Sequence, residues 1–224
     1  MPDDAQRIIQ VVESRYHSAR TLKAVFLERY SEGRATLRIE SGTAFFSRPG
    51  RMRWEYEEPE EKLFITDGKT VWFYVPADHT VTRGPMKASS DMRTPLSLIT
   101  GNSNLSRFCK RIELLAQAAQ NAVTLRCIPR GSSDSANGVG NRAASAAKAI
   151  FPAESGEIQE VLLDVDPKDG WLSRVLIHQP GGIEIEYDFG RWQMDMDLPD
   201  SIFRFQAPKG VAIVEEGSNP ANHQ

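Results

Sequence analysis

The chain has 224 residues, enough to bury a sizeable core in one β-rich domain. A formal charge of −3 leaves no basic footprint for nucleic acid. The mean hydropathy is −0.41, and no apolar run approaches the roughly 18 residues that span a bilayer, so the chain reads as soluble rather than membrane-spanning.

The first ten residues, MPDDAQRIIQ, lack a basic n-region and an apolar h-region and do not read as a secretory signal. The sequence is that of a cytoplasmic protein or of one whose leader has been removed. No cysteine stands near the start, so the chain is not an obvious lipoprotein. Asp3 or Asp4 can cap a helix in which Ile8, Ile9, Val12 and Tyr16 form one apolar stripe, fading over residues 17–21.

From Leu22 the apolar period changes to two. Leu22, Ala24 and Phe26 alternate with Lys23, Val25 and Leu27. After a turn at Ser31, Glu32 and Gly33, the residues Ala35, Leu37 and Ile39 alternate with Arg34, Thr36, Arg38 and Glu40. A further strand is predicted over residues 42–47, giving a meander. In residues 47–75, Met52, Trp54 and Tyr56 share one strand face, while Arg51, Arg53 and Glu55 share the other. An acidic turn, Glu57 to Glu61, leads to Leu63, Phe64 and Ile65. Asp67-Gly68 is a tight-turn signal, and Val71, Trp72, Phe73 and Tyr74 follow in succession, so both faces of that strand are predicted to be covered. Another strand is expected around residues 79–83.

Gly84, Pro85, Pro95 and Gly101 interrupt the pattern. Thr94-Pro95 opens a short predicted helix carrying Leu96, Leu98 and Ile99, and such an insert in a meander suggests a lid. Cys109 and Cys127 lie in two β-like segments; if these pair, the thiols either form a cross-strand disulfide or remain two free buried thiols. Residues 129–149 are small and polar and read as a flexible loop. Residues 157–205 return to β structure. Ile183, Ile185, Tyr187 and Phe189 alternate there with Glu184, Glu186 and Asp188; Phe203 and Phe205 are expected in a last short strand, and residues 215–224 read as a mobile tail.

Candidate chemistry is sparse. His17, His79, His178 and His223 have no metal-ligand spacing. Asp164, Asp166 and Asp169 before Gly170 do not follow a calcium-loop pattern. No nucleophile elbow, P-loop or dinucleotide fingerprint is present. Arg48, before Pro49 at a sheet rim, is either a surface arginine in a weak ion pair or a guanidinium whose five donors hold loop or lid carbonyls.

Several motifs occur in one order: A-x-F-x-x-x-Y at residues 24–30, G-x-x-x-F-x-R-P at 42–49, M-R-W-E-Y at 52–56 and D-G-K-T-V-W-F-Y at 67–74. T-P-L-S-L-I at 94–99 and F-x-x-P-K-G-V at 205–211 complete them. Together they resemble the LolA family of periplasmic lipoprotein carriers over nearly the whole chain. The resemblance implies a mainly β fold: an incomplete antiparallel barrel of roughly ten to eleven strands. An N-terminal helix and short lid helices would cover an apolar cavity, in one domain over residues 1–224. The implied function is to carry acylated lipoproteins from an inner-membrane ABC transporter to an outer-membrane acceptor, as a periplasmic monomer whose signal peptide has been removed. No catalysis, cofactor, metal or nucleic-acid partner is implied. Face alternation and family position together nominate Met52, Trp54, Leu63, Ile65, Trp72, Leu96, Ile99, Ile185 and Tyr187 as cavity residues, and the resemblance makes Arg48 a latch between barrel and lid. Three rivals share the scaffold: a lipoprotein sensor, the outer-membrane acceptor, and an enzyme. Convergent polar groups in the cavity would favour the enzyme.

Overall fold

The computed structural model describes residues 2–86, 99, 104–117, 122–130 and 158–215. The first helix, α1, runs Pro2–Ser18, starting ahead of the predicted Asp3 or Asp4 cap. The strands are β1 (Thr21–Glu32), β2 (Ala35–Ser47), β3 (Arg51–Glu58), β4 (Lys62–Thr66), β5 (Thr70–Val75) and β6 (Thr80–Pro85). A short helix α2 (Leu105–Phe108) precedes β7 (Cys109–Gln117) and β8 (Val123–Pro129). Then come β9 (Glu160–Val165), β10 (Leu172–Gln179), β11 (Ile183–Met194) and β12 (Ala212–Glu215).

All twelve strands form one sheet in the order β12-β6-β5-β4-β3-β2-β1-β11-β10-β9-β8-β7. Its two ends, β12 and β7, are not neighbours, so the sheet is open: a mainly β, incomplete barrel, as expected. Among the described residues the strands number twelve, against the predicted ten to eleven. Residues 35–47, expected as two strands, are one, with a register irregularity between Ser41 and Gly42. Gly42 permits this crossing, because a Cβ there would stand 1.8 Å from the Glu55 carbonyl oxygen. Phe203 ends a 3-10 turn, Asp200–Phe203, instead of lying in the predicted strand. The chain forms its last strand later, and β12 pairs with β6 in parallel, where an antiparallel meander was expected.

Two boundaries shift as well. Pro129 belongs to β8 and Glu215 to β12, so neither starts the loop or tail predicted there. The rest of those two segments, residues 131–149 and 216–224, lies outside the described residues, as does most of the predicted lid helix.

The main core lies between α1 and one face of the sheet. Ile8, Ile9, Val12 and Tyr16 join a single cluster with residues from β1, β2, β3, β7, β8, β9, β10 and β11. The helix is tied across strand ends. The Tyr16 hydroxyl accepts from the Leu172 N–H at 2.9 Å, and Arg15 Nε donates to the Asp169 carbonyl at 2.6 Å. Gly170 comes so close to α1 that a Cβ would meet the Val11 carbonyl oxygen at 2.8 Å. Thus α1 covers the sheet end formed by the start of β1 and the ends of β2 and β11. The β1–β2 and β10–β11 hairpins meet at the other end, where the Gly33 N–H donates to the Gly182 carbonyl at 2.8 Å.

Candidate functional site: the concave face of the sheet

Cross-strand partners share a sheet face, so the pairing register assigns each side chain to the core side or the outer side. Met52 pairs with Phe46 and Thr66; Trp54 with Ala44 and Phe64; Tyr56 with Gly42 and Lys62. Along β1, Leu22, Ala24 and Phe26 continue that inner face, and Phe26 pairs with Phe189 on β11. Tyr187 and Ile185 follow on the same side, opposite Glu28 and Tyr30.

Trp54 is the hub. Its ring meets Phe26, Phe46, Tyr187 and Phe189 at centroid separations of 4.8, 5.7, 5.7 and 6.1 Å, all edge-on. Met52 and Trp54 are each 4% exposed, Tyr187 2% and Ile185 0%. Ile99, from the predicted lid segment, is buried in the same cluster. Five of the nine nominated cavity residues therefore converge: Met52, Trp54, Ile99, Ile185 and Tyr187. Leu96 lies outside the described residues.

Leu63, Ile65 and Trp72 do not join them, which corrects their assignment. Ile65 pairs with Arg53 and Trp72, and Leu63 pairs with Glu55 and Tyr74. All three therefore point to the convex side. Ile65 and Val81 are buried there, outside the main core. Arg53 Nη1 donates to the Ile202 carbonyl at 3.0 Å, Arg51 lies over the Phe203 ring at 5.4 Å, and Tyr74 meets Phe205 at 5.6 Å. The C-terminal segment makes a second apolar layer, so hydrophobicity on β4 and β5 does not reveal the inner face. Phe64 and Phe73, which pair with each other, are the residues of β4 and β5 that share the inner face with Trp54. Counting register across the β3–β4 turn would have found them.

Arg48 Nη2 donates to the Tyr16 carbonyl at 2.9 Å, and the Arg48 N–H donates to the Arg20 carbonyl at 3.2 Å. The carbonyl it holds belongs to the last turn of α1, where a cation also suits the helix dipole. Cys109 and Cys127 form a disulfide with a Cα–Cα distance of 5.5 Å. They are not directly opposite: Cys127 pairs with Ile112, and the register shifts between Cys109 and Arg111.

Toward the hairpin end the inner face becomes polar. Glu28 and Glu40 pair across β1 and β2 and are 3% and 4% exposed. Glu28 accepts from the Tyr56 hydroxyl at 3.0 Å and from Arg38 Nη2 at 3.2 Å. Arg38 Nε lies 3.0 Å from Glu40, and Lys62 also donates to Glu40. Burial pushes the Glu28 carboxyl above its ordinary range; Arg38 and Tyr56 offset this only in part. This cluster escaped the sequence reading because its members come from separate strands and a charge in a strand ordinarily marks the wet face.

The convex face of the other half is charged. Arg29 bridges Glu186 and Asp188; Arg174 bridges Glu186 and Asp164; Arg126 pairs with Glu160, which also meets His178 at 2.9 Å. Among the described residues, no group of three or more His, Cys, Asp or Glu could hold a metal ion. Among them too, no helix is long and apolar enough to cross a membrane.

The family model described as "Outer membrane lipoprotein carrier protein LolA" matches residues 17–140. An outer-membrane lipoprotein carrier protein of Nitrosospira multiformis is 24% identical over 208 residues, covering 92% of this chain and 87% of that protein. Its counterpart in Azotobacter vinelandii is 26% identical over 215 residues, covering 94% and 89%. Among solved structures, an uncharacterized conserved protein from Thermus thermophilus aligns with a TM-score of 0.51 at 13% identity, covering 94% of this chain and 98% of that one. At that identity the likeness is one of fold alone.

Proposed function

Since the chain belongs to the LolA family, we propose that it is a periplasmic lipoprotein carrier without enzymatic activity, acting as one unit over residues 1–224. It shields the acyl chains of a lipoprotein from water on the way from an inner-membrane ABC transporter to an outer-membrane acceptor. The observation that carries this reading is the convergence of Met52, Trp54, Ile99, Ile185 and Tyr187 on one apolar concave face.

Each methylene removed from water contributes about 0.8 kcal/mol, so a long acyl chain gains strongly from such a face. Aromatic rings and a methionine attract it without directional bonds, which lets the cargo leave again. The face is closed by its own rings, so loading requires the sheet and its cover to part. Arg48, which holds the end of α1, is the latch on that motion.

The test is photo-crosslinking with an acylated peptide. A crosslinker at residue 52, 54, 185 or 187 should capture the acyl chain, and one at residue 65 or 72 should not. Silence at all four inner positions would overturn the reading.

A further inference from the structure

The inner face changes polarity along its length, and it does so against the residue pattern of its own strand. In the first half of β2 the apolar residues face out: Leu37 is 59% exposed and Ile39 52%. Arg38 and Glu40 turn inward instead, with Arg38 opposite Tyr30 and Glu40 opposite Glu28. A strand that exposes its leucine and isoleucine while turning a half-buried arginine and a buried glutamate inward gives up hydrophobic stabilisation. Such reversals of a local rule are expected where function requires them.

The cluster so formed is specific in its chemistry. Its four inward charges cancel, Glu28 and Glu40 against Arg38 and Lys62, while the exposed Glu60 stands outside them, 3.8 Å from Lys62. The cluster therefore offers no excess charge to a phosphate or to a free ammonium. It does offer donors. The guanidinium carries five N–H groups and the ammonium three, and the buried Arg38 Nε has no aligned hydrogen-bond acceptor. The cluster is also reachable from water, since the side chains of Arg38 and Lys62 are 33% and 18% exposed. Beside it stand Tyr56 and the Trp54 aromatic cluster, the surface read above as the place of the acyl chains.

We infer that the cluster of Glu28, Arg38, Glu40, Tyr56 and Lys62 binds the carbonyl oxygens of acyl ester or amide linkages, the neutral polar end of a lipid whose chains lie against Trp54. Arg38 and Lys62 donate to the carbonyls, and Glu28 and Glu40 hold the two cations in place. This rests on the carrier reading, and it adds a ligand feature that the apolar surface alone cannot distinguish.

The test compares two synthetic peptides, each with an N-terminal cysteine bearing two chains of sixteen carbons on a glyceryl thioether. One has ester-linked chains. The other is ether-linked and has no chain carbonyls. A matched pair of diester and diether phosphatidylglycerols separates a lipoprotein source from a membrane-lipid source. The full chain should bind each ester form about tenfold more tightly than its ether partner, the effect expected of one or two hydrogen bonds from charged donors. Arg38→Met should abolish that preference, read as the ratio of ester to ether binding by the same variant. Lys62→Met, on the opposite side of Glu40, is the second variant should the first not fold, and it should reduce the preference. Equal binding of ester and ether by the unmodified protein overturns the inference while leaving the carrier reading intact. Failure to bind any of the four ligands removes both.

Discussion

The Arg48 guanidinium donates to the carbonyl of Tyr16 at 2.9 Å, joining the end of β2 to the last turn of α1. That carbonyl is one of the terminal acceptors a helix cannot satisfy internally. Arg48→Leu should therefore loosen α1 rather than unfold the sheet. The expected loss is about 1–2 kcal/mol, the size of a hydrogen bond from a charged donor. Hydrogen exchange should quicken in the last turn of α1 and leave the β1–β11 ladder protected. Uniform deprotection of both would show that Arg48 acts on the whole fold and is no latch.

At Gly42, beside the register irregularity of β2 and β3, the β3 backbone leaves no room for a side chain. A Cβ at this position would lie 1.8 Å from the Glu55 carbonyl oxygen and 3.0 Å from the Tyr56 Cα, both parts of the backbone. Backbone cannot swing aside as a side chain can, so Gly42→Ala should cost at least about 2–3 kcal/mol. Gly190→Ala is the control, because its nearest neighbour is the Val25 Cγ2 at 3.7 Å. Urea denaturation of the two variants should separate them clearly, and equal midpoints would show that the strand crossing relaxes freely.

How far the residues disclose the fold depends on whether their two faces differ. Met52, Trp54 and Tyr56 alternate with Arg51, Arg53 and Glu55, so β3 is legible with its inner face. In β4, Leu63, Phe64 and Ile65 are all apolar, because the C-terminal segment covers the convex side there. Register decides the faces, and register depends on turn geometry that hydrophobicity does not encode. The first half of β2 misleads in the other direction. Leu37 and Ile39 alternate as core residues do, yet they are exposed, and Arg38 and Glu40 find partners on β1 and β4. Those partners are distant in the chain and become visible only once the sheet order is known.

The Cys109–Cys127 disulfide closes a loop of 18 residues in sequence separation. It joins β7, at the open edge of the sheet, to β8. Cross-linking a loop of this size stabilises by about 3 kcal/mol in the chain-entropy account. A variant with both cysteines changed to serine should lose roughly 2–4 kcal/mol, and adding reductant should bring the unmodified protein to the same stability. No response to reductant would mean that the bond contributes nothing to the folded state.

Glu28 ties stability to pH in an unusual direction. Burial pushes its carboxyl above the ordinary glutamate value of 4.5, and attraction to Arg38 and the hydrogen bond from Tyr56 do not fully compensate. The unfolded chain ionises at the ordinary value. Between 4.5 and the higher folded value the folded protein holds a proton that the unfolded chain has released. With more protons bound when folded, stability falls as pH rises through that window, and the loss is complete above the folded pKa. Glu160 works oppositely. Burial pushes it up, but hydrogen bonds from Arg126 and His178 outweigh burial and hold it below 4.5. Its contribution is present above 4.5 and fades as pH falls through its folded value. The Glu28 part is therefore read by subtraction against Glu28→Gln, which keeps an acceptor for the Tyr56 hydroxyl. The stability of the unmodified protein minus that of the variant should decline from pH 4.5 upward and then level off. A difference that stays flat or rises across the window would show that Glu28 is not held protonated by its burial.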